Sequence, residues 1–337
     1  MANTEQYAPH RFPYNWTLKD AQFTKDKGKV FSCFSCGGGS TMGYKLAGFD
    51  VIGCNEIDKQ MMSAYIKNHA PRYPFLEPIQ TFKMREDFPQ ELYNLDILDG
   101  SPPCSTFSMA GDREASWGKK KKFREGQAEQ VLDTLFFDFI DLAKKLQPKV
   151  VISENVKGLL LGNAKEYVGR IYQGFEDAGY YCTHALLDAS KMGVPQRRER
   201  VFFLCVRKDL AAPFLKKHGL FHKKLVIDLS FNERPIPIGE FADYQGREVT
   251  GKIRFLWDNR KQGDAKLKQA CWRIFKKESF FNNPLIYPDK VACTITTKGG
   301  GCISTPRAIC QARRLLLFPL FLKITVSEGN DRPICVV

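Results

Sequence analysis

Residues 100–108 read Gly-Ser-Pro-Pro-Cys-Ser-Thr-Phe-Ser. Two prolines stiffen the backbone directly before Cys104, and small polar residues keep its surroundings open. A structural thiol has no use for that setting. A thiolate nucleophile does, because it must be held still and remain accessible. Three other clusters carry groups of chemical use. Cys36-Gly-Gly-Gly-Ser-Thr-Met-Gly43 follows an apolar run, and Glu56 closes the next apolar run. Glu154-Asn155-Val156 places a second carboxylate where a strand-like run stops. Gln196-Arg-Arg-Glu-Arg200 sets three arginines before a core strand, a pattern that suits an anion site as well as a solvated surface.

These groups need elements to hold them. Lys29–Cys33 reads as a strand, Tyr44, Leu46, Ala47 and Phe49 continue a short helix pattern, and 51–58 reads as a strand ending in acid. Strand, glycine turn, helix, strand, acid is the order of a nucleotide-binding βαβ unit. Glycines let backbone approach a ligand closely, and Glu56 can accept the hydroxyls of a ribose. No Gly-Lys-Ser/Thr follows the glycines, so the loop is not a P-loop and its ligand need not carry phosphates. A strand over 95–98 leads into the Cys104 turn, and the apolar stripe Leu132, Leu135, Phe136, Phe139, Leu142 and Ala143 predicts a helix over 131–146. Strands at 149–153, 181–187 and 201–206 and a helix at 167–178 complete the pattern. The fold class is therefore α/β, a doubly wound Rossmann-like sheet with a smaller, irregular second domain. Ligands of such sheets bind beyond the carboxyl ends of the strands, so the glycine turn, Glu56 and Cys104 should open onto one edge. The polar stretch 109–127 reads as a lid loop whose Lys119, Lys120, Lys121 and Lys122 either face solvent or grip phosphate.

The chain of 337 residues carries 51 basic and 37 acidic side chains, a net charge of +14, which fits a polyanionic partner or a solubilising excess. No apolar run approaches the ~18 residues of a membrane span, and no secretory signal is visible, so the protein is expected to be intracellular. Eleven cysteines, an odd number, argue against a disulfide framework. Cys33 and Cys36 form a C-x-x-C with no partner pair for zinc; a strand-to-loop turn explains them better than a redox pair. Four segments follow: an N-terminal arm over 1–28, an α/β domain over 29–206, a second, smaller domain or long insertion over 207–285, and a return to the first domain over 286–337. In the third, aromatics interleave with lysines; in the fourth, a β-branched strand at 291–297 runs into the basic glycine turn at Lys298.

In this order the pieces resemble the cytosine-C5 DNA methyltransferases of prokaryotic or phage type. Phe34-Ser-Cys-Gly-Gly-Gly39 is similar to the family's Phe-x-Gly-x-Gly loop, Asn55-Glu56-Ile57 to its ribose-binding acid, Pro103-Cys104 to its Pro-Cys, Glu154-Asn155-Val156 to its Glu-Asn-Val and Gln196–Arg200 to its Gln-x-Arg-x-Arg. The chain departs at Cys36, where glycine is frequent, at Ser105, where glutamine is common, and at Pro78, near the usual adenine-contacting acid. It departs most after Arg307: Phe318-Pro319 survives, Gly329-Asn330 stands for a Gly-Asn pair, and a truncated or degenerate tail is expected.

The resemblance implies a DNA (cytosine-5)-methyltransferase that uses S-adenosyl-L-methionine. Cys104 would add to C6 of a flipped-out cytosine, Glu154 would serve N3 with a carboxyl raised by partial burial, Asn155 would hold the loop, and Arg198 and Arg200 would contact the base. Phe34, Ser35, Gly37, Gly38, Glu56, Ile57, Pro103, Leu135 and Asn330 would bind the cofactor. Ser105, Ser108, Lys119–Lys122, Gln196 and Lys298 would meet DNA. Double-stranded DNA is the implied partner of a cytoplasmic, nucleoid-associated monomer, beside a restriction endonuclease acting separately. RNA methylation by the same chemistry, and a DNA-binding protein that has lost catalysis, are the competing readings.

Overall fold

The computed structural model describes residues 7–11, 21–103, 120–121, 130–131, 134–161, 164–218, 222–240, 250–277, 284–294, 302–305, 308–310, 324–326 and 334–336. The chain divides into two compact units. One, comprising Ala21–Leu187, Glu199–Ser230 and Phe321–Val337, holds the sheet. The other comprises Met1–Asp20, Asp188–Arg198 and Phe231–Leu320. The sequence reading sets boundaries at 28, 206 and 285; the compact units divide after Asp20, Leu187, Arg198, Ser230 and Leu320.

The sheet unit contains strands β1 (Lys29–Cys33), β2 (Asp50–Glu56), β3 (Tyr73–Leu76), β4 (Ile97–Gly100), β5 (Val150–Val156), β6 (Tyr180–Asp188) and β7 (Glu199–Arg207). Their spatial order is β3-β2-β1-β4-β5-β7-β6. The first five named in that order are parallel, and β7 runs antiparallel to β5. The chain moves one way from β1 through β2 to β3 and then returns to β4 on the other side of β1. The doubly wound α/β reading holds, with its switch point between β1 and β4.

The central strands are buried almost throughout, as strands covered on both faces must be. Phe31, Cys33, Leu98 and Val151 join one core with α3 (Ile79–Phe82), α4 (Leu135–Leu146) and α5 (Ala164–Asp177). The predicted stripe of α4 lies in it: Leu135, Phe136, Phe139, Leu142 and Ala143 are fully buried, and Leu132 lies outside the described residues. Alternate residues Ser32 and Asp99 face α1 (Gly39–Leu46), which follows the glycine loop. A bulge at Ile52 shifts the β1–β2 register, so Ile52 joins the α4 core while Cys54 packs against Met62 and Tyr65 of α2 (Lys59–His69). The sequence reading missed α2 and β3. Asp58 caps α2 by accepting from the amides of Gln60 and Met61.

After β7 a short antiparallel ladder of Leu215–His218 with His222–Leu225 packs through Leu225 on Val206 and Ala211. In the second unit, α6 (Gly251–Asp258) and α7 (Leu267–Phe275) close a small core around Leu256, Trp257, Leu267, Ala270 and Cys271. The strand expected over 291–297 reduces, among the described residues, to one bridge between Ala292 and Gln196. No helix among the described residues is long and apolar enough to cross a membrane.

Phe139 sits under the last residue of β4: a Cβ on Gly100 would meet its ring at 2.5 Å. Phe139→Ala should lower stability by about 3–5 kcal/mol, read as a shift of the urea unfolding midpoint at unchanged slope.

Candidate active site

β1 ends at Cys33, and the chain turns through a loop that alternates into the left-handed region: Phe34 has φ 53°, Cys36 φ 48° and Gly38 φ 86°. For Phe34 and Cys36 that conformation is strained. Three backbone donors hold the loop. Ser35 N–H donates to the Asn55 carbonyl at 3.3 Å, Gly38 N–H to the Ser35 carbonyl at 2.9 Å, and Cys36 N–H to Glu56 Oε2 at 2.7 Å. His69, at the end of α2, lies beneath: a Cβ on Gly38 would come within 2.1 Å of its Nε2, so only glycine fits. Burial, then the charge of Lys45, pushes His69 down to about 4, and it stays neutral against the loop. Gly37 and Gly39 have open space where a side chain would stand, so their backbone is accessible to a ligand. The thiols of the C-x-x-C differ in place. Cys33 is buried at the strand end and Cys36 is exposed in the loop. Burial raises the Cys33 pKa, which does not suit a redox partner.

Glu56, the last residue of β2, is buried. Its Oε1 accepts from the amides of Ile57 and Asp58 at 2.8 and 2.9 Å, in addition to the Cys36 bond on Oε2. A carboxylate offers about four acceptor positions, so one remains open. The acid therefore braces the glycine loop and keeps an acceptor position free for a further donor. Asn55 donates to the Glu77 carbonyl at 2.9 Å and fixes the segment that enters Pro78.

On the other side of the switch point, β5 ends in Glu154-Asn155-Val156. Asn155 Nδ2 donates to the Pro102 carbonyl at 3.1 Å, so it grips the turn that precedes Cys104 in the chain. Glu154 pairs with Arg200, Nε to Oε1 at 2.7 Å, and both side chains are partly buried. Topology explains the pair. β7 is antiparallel to β5, with Val156 opposite Arg200, so its first residues begin at the edge where β5 stops. Beside this pair, Lys157 Nζ meets both Glu199 oxygens at 3.0 Å.

Of the other predicted residues, Ile57 and Pro103 are partly buried and Leu135 is fully buried at the start of α4. Gln196 and Arg198 belong to the second unit, where the Arg198 carbonyl accepts from Ala189 N–H at 3.1 Å. Lys120 and Lys121 pair with Val131 and Gln130 in a two-residue ladder. Cys104, Ser105, Ser108, Lys119, Lys122, Lys298, Asn330 and the tail around Gly329 lie outside the described residues.

Two site residues escaped the sequence reading. His69 gave no signal, being a lone histidine at a helix end. Asp99 gave one, an acid near the end of an otherwise apolar strand. It is 4% exposed and accepts hydrogen bonds from three hydroxyls. Burial pushes its carboxyl up to about 6 against the opposing effect of those donors.

A family model for C-5 cytosine-specific DNA methylases matches residues 28–284, and the chain belongs to that family. The doubly wound, Rossmann-like sheet agrees with that membership. The chain is 35% identical over 214 residues to the type II methyltransferase M.FnuDI of Fusobacterium nucleatum, covering 61% of this chain and 57% of that protein. It is 34% identical over 186 residues to M.NgoPII of Neisseria gonorrhoeae, covering 55% and 50%, and 32% identical over 162 residues to the orphan methyltransferase M.Rho11sI of Bacillus phage rho11s, covering 48% and 29%. The chain thus spans about half the length of the curated bacterial relatives it matches. Among solved structures, a putative DNA modification methyltransferase encoded within an E. coli prophage superposes with a TM-score of 0.55 at 19% identity, covering 87% of this chain and 89% of that one. A mutant of Spodoptera frugiperda DNMT2 superposes with a TM-score of 0.51 at 18% identity, covering 79% and 69%. These likenesses establish the fold.

The strained loop gives a direct check. Cys36→Gly should raise stability by about 1 kcal/mol, because glycine adopts the left-handed region without penalty. Cys36→Val should lower it, and thermal unfolding of both variants measures the difference.

Proposed function

We propose that this protein is a DNA (cytosine-5)-methyltransferase that forms a covalent bond between Cys104 and C6 of a flipped-out cytosine. The observation that carries the reading is the end of β5: Glu154 steadied by Arg200, and Asn155 gripping the Pro102 carbonyl two residues before the thiol. Cytosine C5 is too weak a nucleophile to be methylated unaided. Addition of the Cys104 thiolate to C6 pushes electrons into the ring, and a proton delivered to N3 by Glu154 leaves C5 enamine-like. Arg200 holds that carboxyl in place through its Nε–Oε1 contact. After C5 is methylated, a base removes the C5 proton, the C5–C6 double bond reforms, Cys104 leaves as thiolate and N3 returns its proton to Glu154. Arg198 contacts the base in this reading.

S-adenosylmethionine, when bound, supplies an electrophilic methyl on a sulfonium. The open backbone at Gly37 and Gly39 and the remaining acceptor position of Glu56 fit its adenosine and amino-acid parts, with Phe34, Ser35, Gly38, Ile57, Pro103 and Leu135 around it and Asn330 closing the site. A loop without a P-loop lysine agrees with a ligand that has no phosphate.

The partner is duplex DNA, and the base is taken out of the stack to reach the thiol. Residues 251–277 contain nine basic and two acidic side chains, a net +7, half the charge of the chain in 27 residues. Both acids are paired, Asp258 with Arg254 and Asp264 with Arg273. Phe255, Trp272 and Phe275 are exposed beside Lys252, whose Nζ lies 5.6 Å from the Phe275 ring centre. An exposed aromatic and basic face within the 207–285 segment suits a phosphate backbone and its sugars. Lys119–Lys122, Ser105, Ser108, Gln196 and Lys298 would add contacts. The protein acts as a monomer in the cytoplasm, on the same sites as a separate restriction endonuclease.

Two experiments test the reading. Duplex DNA with 5-fluorocytosine in the target site should trap a covalent adduct, since fluorine blocks the final elimination; an adduct that persists in Cys104→Ser would refute the assignment. Replacing Lys252, Lys268 and Lys276 together by Gln should reduce the slope of log K against log salt by up to about 3. An unchanged slope assigns DNA contact to other surfaces.

A further inference from the structure

Asp99 is the buried acid that this mechanism leaves unused. It precedes the final residue of β4, faces away from the Leu98 core, and accepts from Ser32 Oγ of β1 at 2.9 Å, Ser40 Oγ of α1 at 2.8 Å and Tyr44 Oη of α1 at 3.2 Å. Among the described residues no lysine, arginine or histidine is within ion-pair distance of it. Burying a carboxylate without a cation is costly, and an aliphatic residue would close the same sheet without that cost. Its value lies in what it connects. Ser40 and Tyr44 stand one turn apart on the helix that begins directly after the glycine loop, so one carboxylate holds two hydroxyls of the same face. On the other side, Asp99 is followed by Gly100 and the Ser101-Pro102-Pro103 turn, which Asn155 holds through Pro102.

We infer that Asp99 is a positioning residue, which fixes the glycine loop and α1 against the Ser101–Pro103 turn. One carboxylate thereby sets the cofactor loop and the entry to the catalytic turn in a single register. The inference rests on the function proposed above, and it concerns a residue that touches neither substrate nor cofactor. Glu56 braces the loop from β2, and Asp99 braces its helix from β4.

The test uses the full chain and three variants: Asp99→Asn, Ser40→Ala and Tyr44→Phe. S-adenosylmethionine affinity is measured by calorimetry, duplex DNA affinity by fluorescence anisotropy, and folding by thermal unfolding. Asp99→Asn should weaken cofactor binding about tenfold, as expected for hydrogen bonds to a charged group, while DNA affinity stays within about twofold. Ser40→Ala and Tyr44→Phe keep the carboxylate and each remove one donor, so each should move cofactor affinity in the same direction by less. Should Asp99→Asn fail to fold, those two variants decide. Equal loss of cofactor and DNA binding indicates a merely structural acid and overturns the inference, as does wild-type cofactor affinity in all three variants. A wild-type protein that binds DNA but no S-adenosylmethionine overturns the proposed function, and this inference with it.

Discussion

Five parallel strands stop along one edge of the sheet, and the antiparallel β7 starts there. Everything assigned to the site in the sheet unit depends on that constraint. The glycine loop leaves β1, Glu56 ends β2, the Pro-Pro turn leaves β4, and Glu154 and Asn155 end β5. A parallel strand presents its last residues at this edge. An antiparallel strand presents its first, which is why the arginine of a motif preceding a strand meets a carboxylate terminating one. Glu154 and Arg200 are 46 positions apart in sequence and 2.7 Å apart in space for this topological reason.

Rigidity at the edge comes from side chains that hold backbone. Glu56 accepts three amides, Asn155 holds a carbonyl, Asn55 holds another, and His69 fills the space that obliges Gly38 to be glycine. The loop is strained at Phe34 and Cys36, and such strain persists only where the surroundings over-determine the conformation. A loop held in this way is preorganised, so less ordering remains for a ligand to impose on binding.

Much of this was legible in the sequence. The glycine turn, the acid about 20 residues on and the Glu-Asn-Val run each lie at a strand end, and strand ends can be read from apolar runs bounded by polar residues. The stripe of α4 was legible for the same reason. What was not legible depends on partners distant in sequence. The Glu154–Arg200 pair requires knowing that β7 is antiparallel. The role of His69 requires knowing that α2 ends beneath the glycine loop. The helices α6 and α7 escaped because they are short, eight and nine residues, and lie in a segment where aromatics and lysines interleave. The short strand β3 has only alternate residues partly buried, contains Pro74 and starts two positions after Pro71, so it gave no strand signal.

The account stands or falls on where a methyl group goes. The direct measurement incubates the protein with methyl-labelled S-adenosylmethionine and duplex DNA, digests the DNA to nucleosides and identifies the labelled product by mass spectrometry. The account predicts label in 5-methyl-2′-deoxycytidine, absent when Cys104 is replaced by serine. Label on an exocyclic nitrogen, or 5-methyl product of undiminished yield from the serine variant, would contradict it.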